Sequence, residues 1–238
     1  HNVPTADRAY LVNRVAAEKY PDVKFTAFGG LCLNRPVGGL NPDAVETSLK
    51  LGAKVIWLPT NTAENHYRKN GKDSSTGVVV TRDGKAVDEL QDIFALVKQY
   101  NAVLATGHIG AEECFPVVEA ARVAGVEKIV ITHPEFWVVG MTPEQQADIV
   151  RKYDVLLESV YAQPVNGSYK INIPDNIAAM KAIGPEHFVI STDSGQTVNP
   201  YWYESYTTYF KAVSEVFTSE QVRKMTHDNP AWLLDIDQ

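Results

Sequence analysis

Ala102-Val103-Leu104-Ala105-Thr106-Gly107-His108 is an apolar, strand-like run that ends on an imidazole. Lys128-Ile129-Val130-Ile131-Thr132-His133 repeats the pattern one strand-helix unit later, and His187-Phe188-Val189-Ile190-Ser191-Thr192-Asp193 repeats it two units after that, ending on a carboxylate. Near-continuous apolar runs of this length suit parallel strands covered on both faces. Working outward, similar runs occupy Val23–Leu33, Lys54–Leu58 and Asp154–Glu158. Between them lie helix-period segments. Leu90, Ile93, Phe94 and Val97 mark one buried stripe. Thr142-Pro143-Glu144-Gln145 reads as a capping box with proline in the first turn, and Asn41-Pro42 and Asn229-Pro230 repeat the cap-then-proline signal. Gly52, Gly125 and Gly184 each stop a helix just before the next strand.

This rhythm is that of repeated βα units, and the expected fold class is α/β, a (β/α)8 TIM barrel in one domain over residues 1–238. Six strands are legible where a closed barrel has eight. The opening His1-Asn2-Val3-Pro4-Thr5 resembles the turn after a strand, leading into a helix near Ala6–Tyr20. The expectation is a barrel lacking its first strand and most of its second; a six-stranded open sheet is the alternative. No GxGxxG follows any strand, against a dinucleotide-binding sheet. Thr60–Val87 breaks the rhythm. It contains Val78-Val79-Val80 and the turn pair Asp83-Gly84, and is expected to be an insertion near residues 60–87 carrying a β-hairpin over the strand ends.

Composition narrows the function classes. With 45% hydrophobic and 21% charged residues, the chain can build a large core. A net charge of −7 without a basic stripe argues against nucleic acid and anionic membranes. No apolar run approaches the ~20 residues of a membrane span, and no signal peptide opens the chain. Cys32 and Cys114 lie in no CxxC pair and read as free thiols of a reducing, cytoplasmic compartment. A homo-oligomer is left open.

In a parallel βα architecture, side chains following the strands emerge at the C-terminal rim, where barrel active sites sit. His108, His133 and Asp193 all stand there, and imidazole with carboxylate suits zinc and similar divalent ions. A lone His after an apolar strand is usually structural; three such ends in order are hard to explain as packing. Glu158 adds a carboxylate at the same rim, with a metal or substrate role set against a salt bridge. His1 is a further candidate at the rim of the truncated strand. His66 lies in the insertion, where a solvated loop histidine is the simpler reading and a metal or substrate role the other. His187 falls at the opposite rim, and His227, before Asn229-Pro230, reads as a buried hydrogen-bonding group. Phe136-Trp137 and Tyr201-Trp202-Tyr203 follow two of the strand ends and could wall a pocket.

With these residues in view, the pattern resembles the amidohydrolase superfamily of metal-dependent hydrolases. The tail Asn229-Pro230-Ala231-Trp232-Leu233-Leu234 is similar to an ending common there. Pro4-Thr5-Ala6-Asp7-Arg8-Ala9-Tyr10, Gly38-Gly39-Leu40-Asn41-Pro42 and Thr132-His133-Pro134-Glu135-Phe136 resemble an uncharacterised group of amidohydrolase-like proteins. The resemblance implies a divalent metal, zinc first and Mn, Fe or Ni as others, bound by His108 and His133. It gives Asp193 metal and proton-transfer roles. Two features depart from it: the first-strand His-x-His pair is absent, and Pro59 and Thr60 stand where some members carry a metal-bridging lysine. The implied activity is hydrolysis of an amide, ester, lactone or phosphoester in a small-molecule substrate, with His133 polarising a carbonyl if it is not a ligand. Metal-dependent decarboxylation and a non-catalytic binding role are the alternatives.

Overall fold

The computed structural model describes residues 2–165 and 167–236. The chain divides into two compact units, His1–Ile129 and Val130–Gln238.

The first unit runs α1 (Ala6–Lys19), β1 (Gly29–Cys32), α2 (Pro42–Lys50), β2 (Ala53–Trp57), α3 (Glu64–Lys69), β3 (Thr81–Arg82), β4 (Lys85–Ala86), α4 (Leu90–Gln99), β5 (Val103–Ala105) and α5 (Ala111–Val123). Strand β2 pairs in parallel with β1 on one side and β5 on the other. Leu31, Ile56 and Leu104 are fully buried, and the Leu90, Ile93, Phe94 and Val97 stripe of α4 is buried with them. That stripe stabilises the unit by the removal of apolar area from water. Asn41 caps α2, its side-chain oxygen accepting from the amides of Asp43 and Ala44.

The second unit begins at β6 (Ile129–Ile131), which straddles the boundary. It continues through α6 (Pro143–Tyr153), β7 (Leu156–Val160), β8 (Ala162–Val165), β9 (Ser168–Ile171), α7 (Ile173–Ile183), β10 (Phe188–Ser191), α8 (Trp202–Ser214), α9 (Ser219–Arg223) and α10 (Asn229–Leu234). Here β7 is flanked by β6 and β10, again in parallel. The Thr142–Gln145 capping box forms as expected.

The structure therefore carries an α/β fold with parallel strands and helical connections. Among the described residues six strands run parallel to their neighbours, against the eight of a closed barrel. Several local expectations shift. The run Val23–Leu33 yields only a short strand from Gly29. Strand β7 runs two residues beyond Glu158, because Ser159 and Val160 still pair with β10. An antiparallel hairpin, β8–β9, follows β7 and was not anticipated. In the sequence, positions 166–167 are an Asn-Gly pair between two short strand-like runs, a strong hairpin signal. Asn229 is not a cap either. A π-helical turn, Lys224–Asp228, runs straight into α10, and the buried Asn229 amide donates to the carbonyls of Glu186 and Phe188, each at 2.8 Å. No described helix is long and apolar enough to cross a membrane.

Candidate active site

In the first unit, the C-terminal ends of β1, β2 and β5 are tied together by polar side chains. Asn34, fully buried, accepts from the Thr60 and Thr62 amides and donates to the Thr60 hydroxyl. This links the loops after β1 and β2. The loop after β5 turns through Gly107 at φ 63°, and the His108 amide donates to the Pro59 carbonyl at 2.9 Å. The insertion sits at this same rim. Its hairpin turns through Asp83 and Gly84, both at positive φ, as a two-residue type I′ turn requires. Thr81 donates to the Glu113 carboxyl at the start of α5.

Within the insertion, helix α3 brings His66 to His108, their Nδ1 atoms 2.8 Å apart. The reading of His66 as a solvated loop residue is corrected: it is half-buried and partnered. Burial first, and Lys72 second, hold its pKa below the ordinary imidazole value. A cleft of ≈ 470 Å³ lies between the loop after β1 and the insertion, with Arg35 and Arg82 on its walls.

The second unit holds His133, Glu158 and Asp193. His133 follows β6, buried, with its ring against Phe136 at 4.0 Å between centroids. Its φ is 26°, and that of Asp193 is 47°. Left-handed backbone at a non-glycine residue costs of order 1–3 kcal/mol and gathers at functional sites. Here it falls on His133 and Asp193, two of the three strand-end candidates, as it also does on Asn101, Asp154 and Asp235 at helix ends. Glu158 is not at the rim: it stands opposite Val189 inside the sheet. Its pKa is pushed to about 7 by burial first and then by the Asp193 carboxylate. Burial lifts Asp193 to about 6, partly offset by a hydrogen bond from Gln196, and lowers His133 to about 4.

Glu135 was quoted only as part of a motif, yet burial drives it to about 8, with Glu158 adding to the rise. It accepts from Asn172, whose oxygen takes a bond from Gln163, which in turn accepts from the Trp137 amide. Glu135, Asn172, Gln163, Asn34 and Asn65 are what sequence reasoning missed; amides distant along the chain leave no periodic signal. Ser194, Gln196, Asn199, Tyr201 and Trp202 help line a cleft of ≈ 630 Å³ directly after Asp193, so two of the three aromatic residues at 201–203 wall a pocket and Tyr203 does not line it. Phe136 packs on His133, and Trp137 donates to the Pro164 carbonyl of the second hairpin.

His187 lies at the N-terminal end of β10, away from the rim. His227 is exposed and bonded to Asp228 at 2.8 Å, not buried as expected, because the π-helical turn faces it outward. Cys32 and Cys114 are not joined in a disulfide. His1 lies outside the described residues. Among the described residues, no three His, Cys, Asp or Glu side chains already stand as a ligand set for a metal ion. The donor chemistry of the second unit nonetheless fits a cation. Glu135, Glu158 and Asp193 are raised by burial, the charges acting on the two glutamates include other carboxylates, and His133 stays neutral at pH 7. Such a site is short of positive charge.

No curated protein matches the sequence significantly. Among solved structures, the chain is similar to a candidate 2-pyrone-4,6-dicarboxylic acid hydrolase of Pseudomonas putida, with TM-score 0.62 and 15% identity over 98% of this chain and 79% of that one. It is also similar to 2,6-dihydroxybenzoate decarboxylase of Rhizobium (TM-score 0.53, 16% identity, 98% and 78%). An amidohydrolase of Pseudomonas aeruginosa gives TM-score 0.56 and 12% identity, covering 82% and 67%. At these identities the likeness is one of fold alone. Residues 1–158 match the model of a family of unknown function, DUF6282, and the chain belongs to that family.

Proposed function

We propose that this protein is a metal-dependent enzyme of the amidohydrolase type, hydrolysing an amide, ester, lactone or phosphoester in a small molecule. The observation that carries the reading is the pair of strand-end residues His133 and Asp193, both held in left-handed backbone beside a cleft that begins at Ser194. The fold shared with amidohydrolase-type enzymes supports it. The residues proposed as metal ligands are His108 in the first unit and His133 and Asp193 in the second, with zinc the first candidate. A divalent ion, when bound, supplies Lewis acidity and a water acidic enough to ionise near pH 7. The Asp193 carboxylate would take a proton from water and return it to a leaving group. Glu158, next to it in charge, favours the single-proton state of the pair.

Decarboxylation is the second reading. It is favoured by the likeness to 2,6-dihydroxybenzoate decarboxylase over nearly the whole chain, and by the guanidinium groups of Arg35 and Arg82 at a cleft, which suit a carboxylate.

The test combines metal analysis with a screen of amides, lactones, phosphoesters and aromatic acids, the last assayed for released carbon dioxide. On the substrate found, Asp193→Asn should lower kcat by about 10²–10⁴-fold while metal is retained. His108→Ala and His133→Ala should lose metal. Near-normal turnover by a metal-loaded Asp193→Asn variant rules out Asp193 as the proton carrier and the hydrolytic mechanism with it.

A further inference from the structure

We infer that His66, from helix α3 of the insertion, is a metal ligand acting together with His108, so that the first unit carries a two-imidazole clamp for a divalent transition-metal ion. The inference rests on the metal-dependent reading above and adds a ligand that the strand-end pattern does not contain.

The geometry begins with the backbone. Asn65 donates its side-chain amide to the His108 carbonyl at 2.9 Å. Arg68 donates to the Asn65 oxygen at 2.8 Å and fixes that amide's orientation. Asn70 holds the His66 carbonyl at 2.8 Å. Helix α3 is thereby pinned to the loop after β5, and the residue after Asn65 is delivered to the His108 ring.

The two rings meet nitrogen to nitrogen. Their Nδ1 atoms are 2.8 Å apart, their centroids 4.9 Å apart, and their planes differ by 18°. Imidazoles joined end to end through Nδ1 at that distance would have centroids about 5.1 Å apart. The two Nδ1 atoms therefore face each other nearly in the ring planes, the straight approach of an N–H···N hydrogen bond; to share one ion at the tetrahedral angle each ring must also turn by about 35° so that its lone pair points at the metal. With metal–nitrogen bonds of about 2.1 Å, this spacing subtends about 84° at a shared ion, and the tetrahedral angle needs about 0.6 Å more. A short helix in an insertion can yield that distance more readily than a sheet.

The protons balance without release. Each neutral imidazole has one N–H and one lone pair, so the closed pair shares one hydrogen along Nδ1···Nδ1. An ion that takes both Nδ1 lone pairs sends that hydrogen to Nε2 of the ring that had donated it. Imidazole nitrogen is a donor for Zn, Cu, Ni and Co. The remaining positions are for water or other donors.

The test is a titration of the chelator-treated protein with Co(II), followed by visible absorption and calorimetry. His66→Asn should weaken Co(II) binding by at least about 100-fold, the upper end of what even an outer-shell partner of a metal ligand contributes, as should His108→Asn. His66→Cys replaces one donor with another. It should restore binding and add a thiolate-to-cobalt charge-transfer band in the near ultraviolet, which a purely structural role for residue 66 would not produce. Unchanged affinity in a folded His66→Asn variant, or a cobalt-loaded His66→Cys variant without that band, overturns the clamp. If His133→Asn abolishes binding in that case, the metal-dependent reading stands without His66. Failure of the unmodified protein to bind Co(II), or Zn(II) by calorimetry, overturns both.

Discussion

Asn172 donates its side-chain amide to Oε1 of Glu135 at 3.3 Å, joining the start of α7 to the loop after β6. The same amide's oxygen accepts from Gln163 at 2.9 Å, and Asn172 is fully buried. One residue thus satisfies a buried carboxyl and a buried amide at once.

Replacing Asn172 by Leu keeps most of the volume and removes both bonds. Unsatisfied buried polar groups cost about 1–3 kcal/mol each, so a loss of about 2–4 kcal/mol is expected in urea unfolding. A loss within about 0.5 kcal/mol, the range of ordinary surface substitutions, means that water has replaced the amide and that the chain from Trp137 to Glu135 is not rigid.

Gly107 places His108. A Cβ at residue 107 would come within 2.5 Å of the Leu58 carbonyl oxygen and 2.7 Å of that of Pro59, at φ 63°. Gly107→Ala meets both a left-handed backbone, costing about 1–2 kcal/mol, and backbone atoms that cannot rotate away. The expected outcome is a loss above about 2 kcal/mol, with weaker metal binding if the displaced loop carries His108 with it. A variant as stable as the parent in thermal melts contradicts this close approach.

Glu113 gives a pH dependence. Burial raises its pKa above the ordinary value, outweighing the bonds from the Gly110 amide and the Thr81 hydroxyl, which lower it. The folded state then holds its proton to higher pH than the unfolded chain does. The resulting stability is complete below the unfolded pKa and is lost as pH rises through the folded one. Glu113→Gln retains an oxygen for the Gly110 amide and carries no charge, so its stability should fall less than the parent's as pH rises above the ordinary carboxylate range. Parallel stability curves for the two proteins from pH 4 to 8 contradict the assignment.

Much of this molecule was legible in its sequence because the signals were local. The α4 stripe, the Thr142 capping box, the Asn41 cap and the Asp83-Gly84 turn each depend on residues within a few positions of one another, and each formed as read. Apolar runs ending on His108, His133 and Asp193 located the strand ends, since a parallel strand buried on both faces has a distinctive composition. Asn229 failed by the same logic. Its local cap signal was outweighed by two tertiary bonds to the carbonyls of Glu186 and Phe188, which a buried amide satisfies better than an exposed helix end would.

The sequence by itself determined the α/β class, the order of the parallel strands and the helices between them, and that His108, His133 and Asp193 follow strands, because periodicity and turn chemistry are properties of neighbouring residues. Only the tertiary structure decided what those side chains meet. His66 and His108 are forty-two residues apart, Glu135 and Asn172 thirty-seven, and no pattern along the chain encodes which pairs will lie within hydrogen-bond reach. The positive φ of His133 and Asp193 is likewise a product of how their loops close, and so are the raised carboxyls of Glu135, Glu158 and Asp193. A pKa is set by the surrounding dielectric and charges, and those exist only once the chain has folded.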